Sequence, residues 1–468
     1  MVHDSPAGAT CPAEPTRSPS TTRPDWVIWW VFPTSTGLLG LLSPPRAILG
    51  RGHGCDPQLD GQEVSRQHAE VRHAGHTILL RDLGSTNGVF LNGKRLSAEA
   101  ALSEGDVVRL GEWVGVVGLL DNGARAHTGW FAEVGLGILT GPVTRPIFEQ
   151  VHRVASSDLP VVVEGETGSG KECVAQALHA WSERRSNPFH SVNCAAWPEP
   201  LAEAELFGYR AGAFAGAEQS KPGQFQAARG GTLLLDEITD LPLGTQARLL
   251  GVLERREVVP LGERNSITVD VRIVAASQEP LLSALRAGRL RSDLYAHLAG
   301  ITIQLPPLRH RVAEIPPLFG RLLSRHAAGS PPPVDARLVE RLCLYDWPFN
   351  VRELELLVRR LVALRGRGFV LQREHLPKRC LEPNADCVPP SGAPEDADER
   401  AERELAALAA SLRAHGGNVA RAAQKLGISR QRAYRLMATT DTIDWKALRQ
   451  VGDGRSGPSG QRPAHELP

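Results

Sequence analysis

The chain has 468 residues, and at roughly 100 to 200 residues per domain this length implies two to four domains rather than one. Lys and Arg number 53 against 52 Asp and Glu, so the formal charge of +1 excludes a uniformly basic nucleic-acid coat and an acidic solvating chain. Any charge meant for DNA must therefore be local.

In chain order, residues 1–24 are rich in Pro, Ser, Thr and Ala without periodicity and read as a disordered leader. The apolar run Trp26 to Phe32 is far shorter than the ~20 residues a membrane span needs, and no charged flank and long apolar core mark a secretory signal. Residues 26–120 alternate short Val, Ile and Leu runs with Gly, Asn and Asp, the pattern of an all-β domain. Residues 138–378 alternate apolar strands with helical patterns, the pattern of an α/β domain with a parallel sheet. A linker over 383–398 leads to an all-α segment at 399–440 and a tail at 441–468. The seven cysteines (Cys11, Cys55, Cys173, Cys194, Cys343, Cys380, Cys387) are scattered, odd in number and without metal-site spacing, which predicts reduced thiols in a cytoplasmic protein.

The chemistry concentrates at Gly165-Glu166-Thr167-Gly168-Ser169-Gly170-Lys171, which follows an apolar strand over Leu159 to Val163 and precedes a helical run over Glu172 to Trp181. Strand, glycine-rich loop, Lys and helix in that order form a P-loop: backbone N–H groups curl inward toward phosphate oxygens, the helix N-terminus adds its dipole, and Lys171 reaches the outer phosphates of ATP. Glu172 stands where the general motif has Ser or Thr. Further on, Thr232-Leu233-Leu234-Leu235-Asp236-Glu237 is an apolar strand ending in two carboxylates. Asp236 is suited to hold Mg2+ and Glu237 to polarise the attacking water, because phosphoryl transfer needs positioning and charge neutralisation more than covalent help.

Together these motifs resemble the AAA+ ATPase domain of bacterial enhancer-binding proteins, the regulators that remodel sigma-54 RNA polymerase. In that family Glu follows the P-loop Lys, so Gly165 to Glu172 fits it closely. The resemblance implies that Asn193, in Ser191-Val192-Asn193-Cys194-Ala195-Ala196, restrains Glu237 until ATP is sensed. It implies that Gly212-Ala213-Phe214-Ala215-Gly216-Ala217 is the loop contacting sigma-54, that Gln278 is the first sensor, and that Arg291 reaches across a subunit interface as an arginine finger. It also implies a helical lid over about 306–378, from which Arg352, in Trp347-Pro348-Phe349-Asn350-Val351-Arg352, reaches the nucleotide. The resemblance further implies a homo-oligomeric, hexameric ring, in which cations supplied by a neighbour stabilise charge on the transferred phosphoryl group. The chain departs from the family pattern at Ala215 (ordinarily Thr), at His297 (ordinarily a second finger Arg), at Gln278 (ordinarily Asn) and at Phe349 (ordinarily Gly). These departures leave two readings open: an ATPase that opens sigma-54 promoters, or a nucleotide-binding DNA regulator that does not, acting as a phosphopeptide-gated repressor or scaffold.

In the β-rich domain, Gly50-Arg51, Val64-Ser65-Arg66-Gln67-His68, Asp82 to Gly88, Asn92-Gly93 and Ser103-Glu104-Gly105-Asp106 follow one another in an order that resembles a forkhead-associated (FHA) domain. That likeness implies a β-sandwich whose end loops bind phosphothreonine. Arg51, Ser65 and Arg66 supply donors to a phosphate dianion, Thr86 and Asn87 hold the peptide, and His68 packs rather than binds. Near the C-terminus, residues 411–437 carry six cations and no acid. Asn418 and Ser429 cap two helices around the turn Leu426-Gly427-Ile428, a helix-turn-helix whose second helix directs Arg430, Gln431, Arg432, Tyr434 and Arg435 toward DNA. It is similar to the Fis-type module of the same regulators. The expected architecture is an all-β FHA sandwich, an α/β AAA+ domain with helical lid and an all-α helix-turn-helix. Its expected partners are ATP with Mg2+, sigma-54 polymerase, upstream DNA and a phosphothreonine protein.

Overall fold

A computed structural model describes residues 25–33, 38–41, 46–74, 77–120, 131–327, 329–364 and 369–381. The leader, the linker, the helix-turn-helix with its DNA-facing residues and the tail lie outside the described residues.

The first domain is a two-sheet sandwich. Its strands are β1 (Asp25–Phe32), β2 (Leu38–Leu41), β3 (Arg46–Leu49), β4 (Ala69–Ala74), β5 (Thr77–Asp82), β6 (Val89–Leu91), β7 (Lys94–Arg95), β8 (Ala100–Leu102), β9 (Val107–Leu110) and β10 (Trp113–Leu120). A six-stranded sheet ordered β2-β1-β10-β9-β6-β7 packs on a four-stranded sheet ordered β3-β4-β5-β8. Ile28, Trp30, Val108 and Val117 from one sheet meet Leu49, Val71 and Leu80 from the other, and Trp30 meets Trp113 edge to face at 6.3 Å. Strand β1 pairs with β10 from Asp25↔Leu120 onward, so the tryptophan-rich segment belongs to this sandwich.

The second domain opens with β11 (Ala132–Glu133), β12 (Leu139–Thr140), α1 (Thr144–Ala155), β13 (Val161–Glu164), α2 (Lys171–Ala180), β14 (Phe189–Asn193) and α3 (Glu199–Phe207). It continues with β15 (Gly208–Tyr209), β16 (Lys221–Pro222), α4 (Gln224–Ala227), β17 (Thr232–Asp236), α5 (Leu243–Arg255), β18 (Glu257–Val258), β19 (Ile267–Thr268), β20 (Arg272–Ser277), α6 (Leu281–Arg286), α7 (Ser292–Leu298) and β21 (Ile301–Gln304). Five strands form a parallel sheet ordered β14-β17-β20-β13-β21. The central strands are buried along their whole length, as parallel strands covered on both faces must be. Val161 and Val163 face α1 and α2, whereas Val162 joins the cluster under α3, α5 and α7. Strand β13 begins at Val161 rather than Leu159, because Pro160 has no N–H for the ladder and Leu159 is exposed.

The lid comprises α8 (Ile315–His326), α9 (Ala336–Cys343), α10 (Asn350–Leu364) and α11 (Lys378–Leu381), closed around Phe319, Leu338, Trp347, Leu354 and Val358. Among the described residues no helix is long and apolar enough to cross a membrane, and no His, Cys, Asp and Glu cluster is arranged for a metal ion. The described cysteines are free thiols.

Candidate functional site: a phosphate-binding centre under the lid

Parallel strands bring their carboxyl ends to one edge, and that edge is where ligands of open α/β sheets bind. The register places Glu164 beside Ser277 and Gln304, and Asn193 beside Asp236, so the loops after β13, β14, β17 and β20 converge. The loop after β13 runs into α2, with Gly170 in a left-handed conformation (φ 112°) as its N-cap. Gly168 is required twice over. Its φ is 75°, and an added Cβ would stand 2.3 Å from the Phe349 carbonyl oxygen. The lid is thus pressed onto the loop: Val351 N–H donates to the Gly168 carbonyl at 2.9 Å, and the Arg352 Cβ lies 3.0 Å from that same added atom.

Three further contacts hold the loop. Arg309 donates both Nη1 and Nη2 to the Glu166 carboxylate (2.9 and 2.5 Å), and Asn350 Nδ2 donates to Glu166 Oε2 and the Thr167 carbonyl. Burial opposes ionisation of Glu166, but Arg309 and Asn350 outweigh it and hold its carboxyl below the ordinary range. Arg311, buried, donates to the Ser169 carbonyl at 2.7 Å. Sequence reasoning did not single out Arg309, Arg311 or Asn350. Only their contacts with Glu166 and with the Thr167 and Ser169 carbonyls mark them, because a basic run after a strand or a lone Asn otherwise reads as a solvated surface.

The reacting end holds Lys171, Asp236 and Glu237 together. Lys171 Nζ donates to the Gly165 carbonyl at 2.8 Å and lies 3.7 Å from Glu237 Oε1. Asp236 Oδ1 accepts from the Glu237 N–H, and Glu237 is a non-glycine residue at φ 54°. Burial pushes the Glu237 carboxyl above its ordinary range, Asp236 and Asp240 push the same way, and Gln278 and Lys171 oppose them. Gln278 Nε2 donates to Glu237 Oε1 at 2.9 Å. Asn193 does not hold Glu237 here: its Oδ1 accepts the Ala195 N–H at 2.9 Å and caps a short helical turn.

The residues fit a magnesium nucleotide on three observations. The buried Ser169 Oγ has no hydrogen-bond partner, a Cβ at Gly170 would meet nothing within 4 Å, and a cation and two carboxylates converge beyond them. Glu172 opens the first turn of α2, one residue after Lys171.

Outside this centre, Arg291 caps α7 at the surface and pairs with Asp293 at 2.7 Å. His297, half-buried, lines a cleft of about 120 Å3 with Asp158, Phe225, Val252 and Arg256 of its own subunit. The loop over Gly212 to Ala217 stands on the β15–β16 pair. Gly212 N–H donates to the Ala217 carbonyl, Ala217 N–H donates to the Phe214 carbonyl, and Phe214 is 40% exposed beside Tyr209. Ala215 is exposed, while Ala213 packs near Gly262.

In the sandwich, the loops carrying Arg51, Ser65, Arg66, Thr86 and Asn87 come together. A Cβ on Gly50 would sit 2.5 Å from the Arg66 carbonyl, so glycine lets the two loops touch. Thr86 N–H donates to Ser65 Oγ at 3.2 Å, and Asn87 Nδ2 donates to the Glu63 carbonyl. His68 is fully buried, accepting from Ser65 N–H at Nδ1 and meeting the Gly88 carbonyl at Nε2. The guanidinium groups of Arg51 and Arg66 belong to exposed residues at the rim.

Comparison with known proteins agrees with this layout. Residues 138–304 match the sigma-54 interaction domain, 309–391 the AAA+ ATPase lid domain, 47–111 the FHA domain and 399–435 the Fis-family bacterial regulatory protein. The chain is 42% identical over 296 residues to the transcriptional regulatory protein ZraR of Klebsiella oxytoca, covering 62% of this chain and 66% of that one. It is 40% identical to the DNA-binding transcriptional regulator NtrC of Azospirillum brasilense, with the same shares covered. Against GlrR of Escherichia coli K12 the identity is 38% over 314 residues, covering 66% of this chain and 69% of the relative. The chain belongs to the sigma-54-dependent transcriptional regulators. Its particular form within them combines an FHA domain, an AAA+ domain with lid and a Fis-type helix-turn-helix.

Proposed function

We propose that this chain is an ATPase that binds upstream DNA and remodels sigma-54 RNA polymerase to open promoters, under control of phosphothreonine recognition by its FHA domain. The observation that carries the reading is the convergence of Lys171, Asp236 and Glu237 at the sheet's carboxyl edge, beneath a lid seated on the P-loop. Lys171 binds the outer phosphates and leaves its present partners, the Gly165 carbonyl and Glu237, when they arrive. Glu237 orients and deprotonates the attacking water, and its raised carboxyl range suits it to accept a proton. Asp236 would hold Mg2+, which supplies charge neutralisation on the phosphates. Arg352 approaches from the lid, and Arg291 is exposed for a neighbouring subunit of a homo-oligomeric ring. Phe214, exposed on its glycine-bounded turn, delivers the stroke to sigma-54. Arg51, Ser65 and Arg66 take the phosphate, Thr86 and Asn87 the peptide backbone. Arg430, Gln431, Arg432, Tyr434 and Arg435 read DNA.

The test is ATP hydrolysis by the full chain. The rate per subunit should rise steeply with protein concentration, and Glu237→Gln should abolish it while ATP binding persists. A flat, negligible rate at all concentrations refutes the enzyme reading. The second reading, a nucleotide-binding regulator without sigma-54 activation, is favoured by Ala215 on the loop and by His297 where a second finger Arg ordinarily stands. Open-complex formation with sigma-54 polymerase decides between them: success supports the first reading, and failure that Ala215→Thr repairs supports the second.

A further inference from the structure

Strands β1, β10 and β9 of the six-stranded sheet are buried on both faces, which a free-standing domain does not need. Its inner face forms the sandwich core. On its outer face Val27, Trp29, Val31, Val116 and Leu120 pack with Phe131 and with Ala313 of the lid's leading segment. Val107 and Val114 pack with Ala336, Val339 and Cys343 of α9. The domain therefore straddles the junction between ATPase core and lid.

At the centre of the α9 contact lies an ion pair with both side chains 8% exposed: Arg109 Nε donates to Glu340 Oε2 at 2.8 Å. The Arg109 guanidinium also sits over the Phe90 ring, 3.8 Å from its centroid, and Phe90 is the cross-strand partner of Arg109 in the β6–β9 pair. Strand β6 leaves directly from the loop that carries Thr86 and Asn87. That loop is tied to the strand's start, because Asp82 accepts from Ser85 N–H and Val89 N–H, and Ser85 Oγ accepts from Gly88 N–H. On the lid side, the segment that packs under the sheet grips the P-loop through Arg309 and Arg311. One unbroken series of contacts thus joins the phosphothreonine loop to the phosphate-binding loop.

We propose that the outer sheet face is a latch on the ATPase lid, closed by Arg109 and Glu340, and that phosphothreonine occupancy of the FHA loops opens it through Phe90. The proposal rests on the reading of the two sites given above. With the latch closed, the sandwich bridges core and lid and resists the lid rotation a nucleotide cycle requires. Peptide binding shifts β6, withdraws the Phe90 ring from Arg109 and weakens the pair, and by linkage an open latch tightens peptide binding.

The experiment uses the full chain, ATP turnover and amide hydrogen exchange over 336–343. Arg109→Glu sets like charges against each other and should raise both turnover and exchange, turnover by about tenfold, a usual size for coupling between sites. The double exchange Arg109→Glu with Glu340→Arg should restore the slow state. Arg109→Met with Glu340→Leu keeps the packing without the charges and shows that the fold tolerates change at both positions. A mixture of phosphothreonine peptides with degenerate flanks should raise exchange over 336–343, and Phe90→Leu should bind the same peptides without that rise. Folded Arg109→Glu protein with measurable but unchanged or slower turnover overturns the latch. So does a phosphopeptide that binds without altering exchange over 336–343. Failure of every phosphopeptide to bind refutes the reading of the loops and the peptide-opening step, while the charge variants still decide whether the lid is latched. Absence of turnover in the unaltered chain and in Arg109→Glu alike refutes the ATPase reading, and exchange in Arg109→Glu then decides the latch.

Discussion

Glu314 offers a quantitative test of how the P-loop is supported. Its carboxylate is 2% exposed and accepts from Val143 N–H (3.1 Å), Thr144 N–H (2.8 Å) and Thr144 Oγ1 (3.0 Å). It lies 3.6 Å from Arg311, whose other guanidinium nitrogen donates to the Ser169 carbonyl of the P-loop. Burial pushes the Glu314 carboxyl up and the Arg311 guanidinium down, each against the other's charge, so neither is comfortable alone. Glu314→Leu leaves Arg311 a buried cation without its counter-charge and three donors without an acceptor. Breaking a buried pair from one side costs about 3–5 kcal/mol. The orphaned donors are part of that same loss rather than additional to it, so about 4 kcal/mol is expected, a large share of a domain's usual 5–15 kcal/mol. Glu314→Gln keeps an acceptor while losing the charge and should cost roughly half as much. Urea unfolding followed by tryptophan fluorescence reads the first quantity, and titration with a fluorescent ATP analogue reads the consequence: weaker binding in the order native, Gln, Leu. A Leu variant within about 1 kcal/mol of the native chain would refute the reasoning, since that is the size of a single ordinary hydrogen bond.

Other outcomes follow from the same geometry. Gly168→Ala forces a Cβ against the Phe349 carbonyl at φ 75° and should unseat the lid, weakening nucleotide binding by about tenfold or more, readable in the same titration. Gln278→Ala removes the side-chain amide that donates to Glu237 and should change kcat at constant ATP affinity, whereas Asn193→Ala, whose target is Ala195, should chiefly lower stability; the reverse pattern would return the restraining role to Asn193. Arg51→Ala should abolish discrimination between phosphorylated and plain peptide, measured by fluorescence anisotropy, and equal affinities in the unaltered protein would sink the phosphothreonine assignment. Burial holds the His68 imidazolium below its ordinary range, so the folded sandwich resists a proton that the unfolded chain accepts. Stability present above about pH 6.5 should therefore fall as the pH drops through that value. His179 is shifted the same way by burial, so the difference in acid slope between the native chain and His68→Gln isolates the His68 contribution.

Much of the centre is legible in the chain because its parts are local. Strand, turn and helix around Lys171 are contiguous, so the glycines, the apolar run and the helix start can be read without knowing what lies above them. Asp236 and Glu237 close an apolar strand in the same way, and the loop glycines of the FHA domain mark turns at fixed intervals. The regulator class was carried by these short segments in series. Contacts between distant segments were not legible. Residues 278 and 237 meet because β17 and β20 are neighbours in the parallel sheet, and no local pattern tells Gln278 rather than Asn193 to reach the carboxylate. Arg309, Arg311 and Glu314 lie in a basic stretch that resembles any solvated loop until the P-loop and Thr144 are brought against it. One overlooked signal did lie in the chain. Val27 to Val31 and Val114 to Val117 lack the apolar–polar alternation of a sheet with one wet face, and such runs imply cover on both sides. Periodicity reports that a face is buried, because burial is a property of one residue and its solvent. What buries it, here Phe131 and Ala313 against Val27 to Val31 and the lid helix carrying Glu340 against Val114, is a property of two surfaces, and only the tertiary structure decides it.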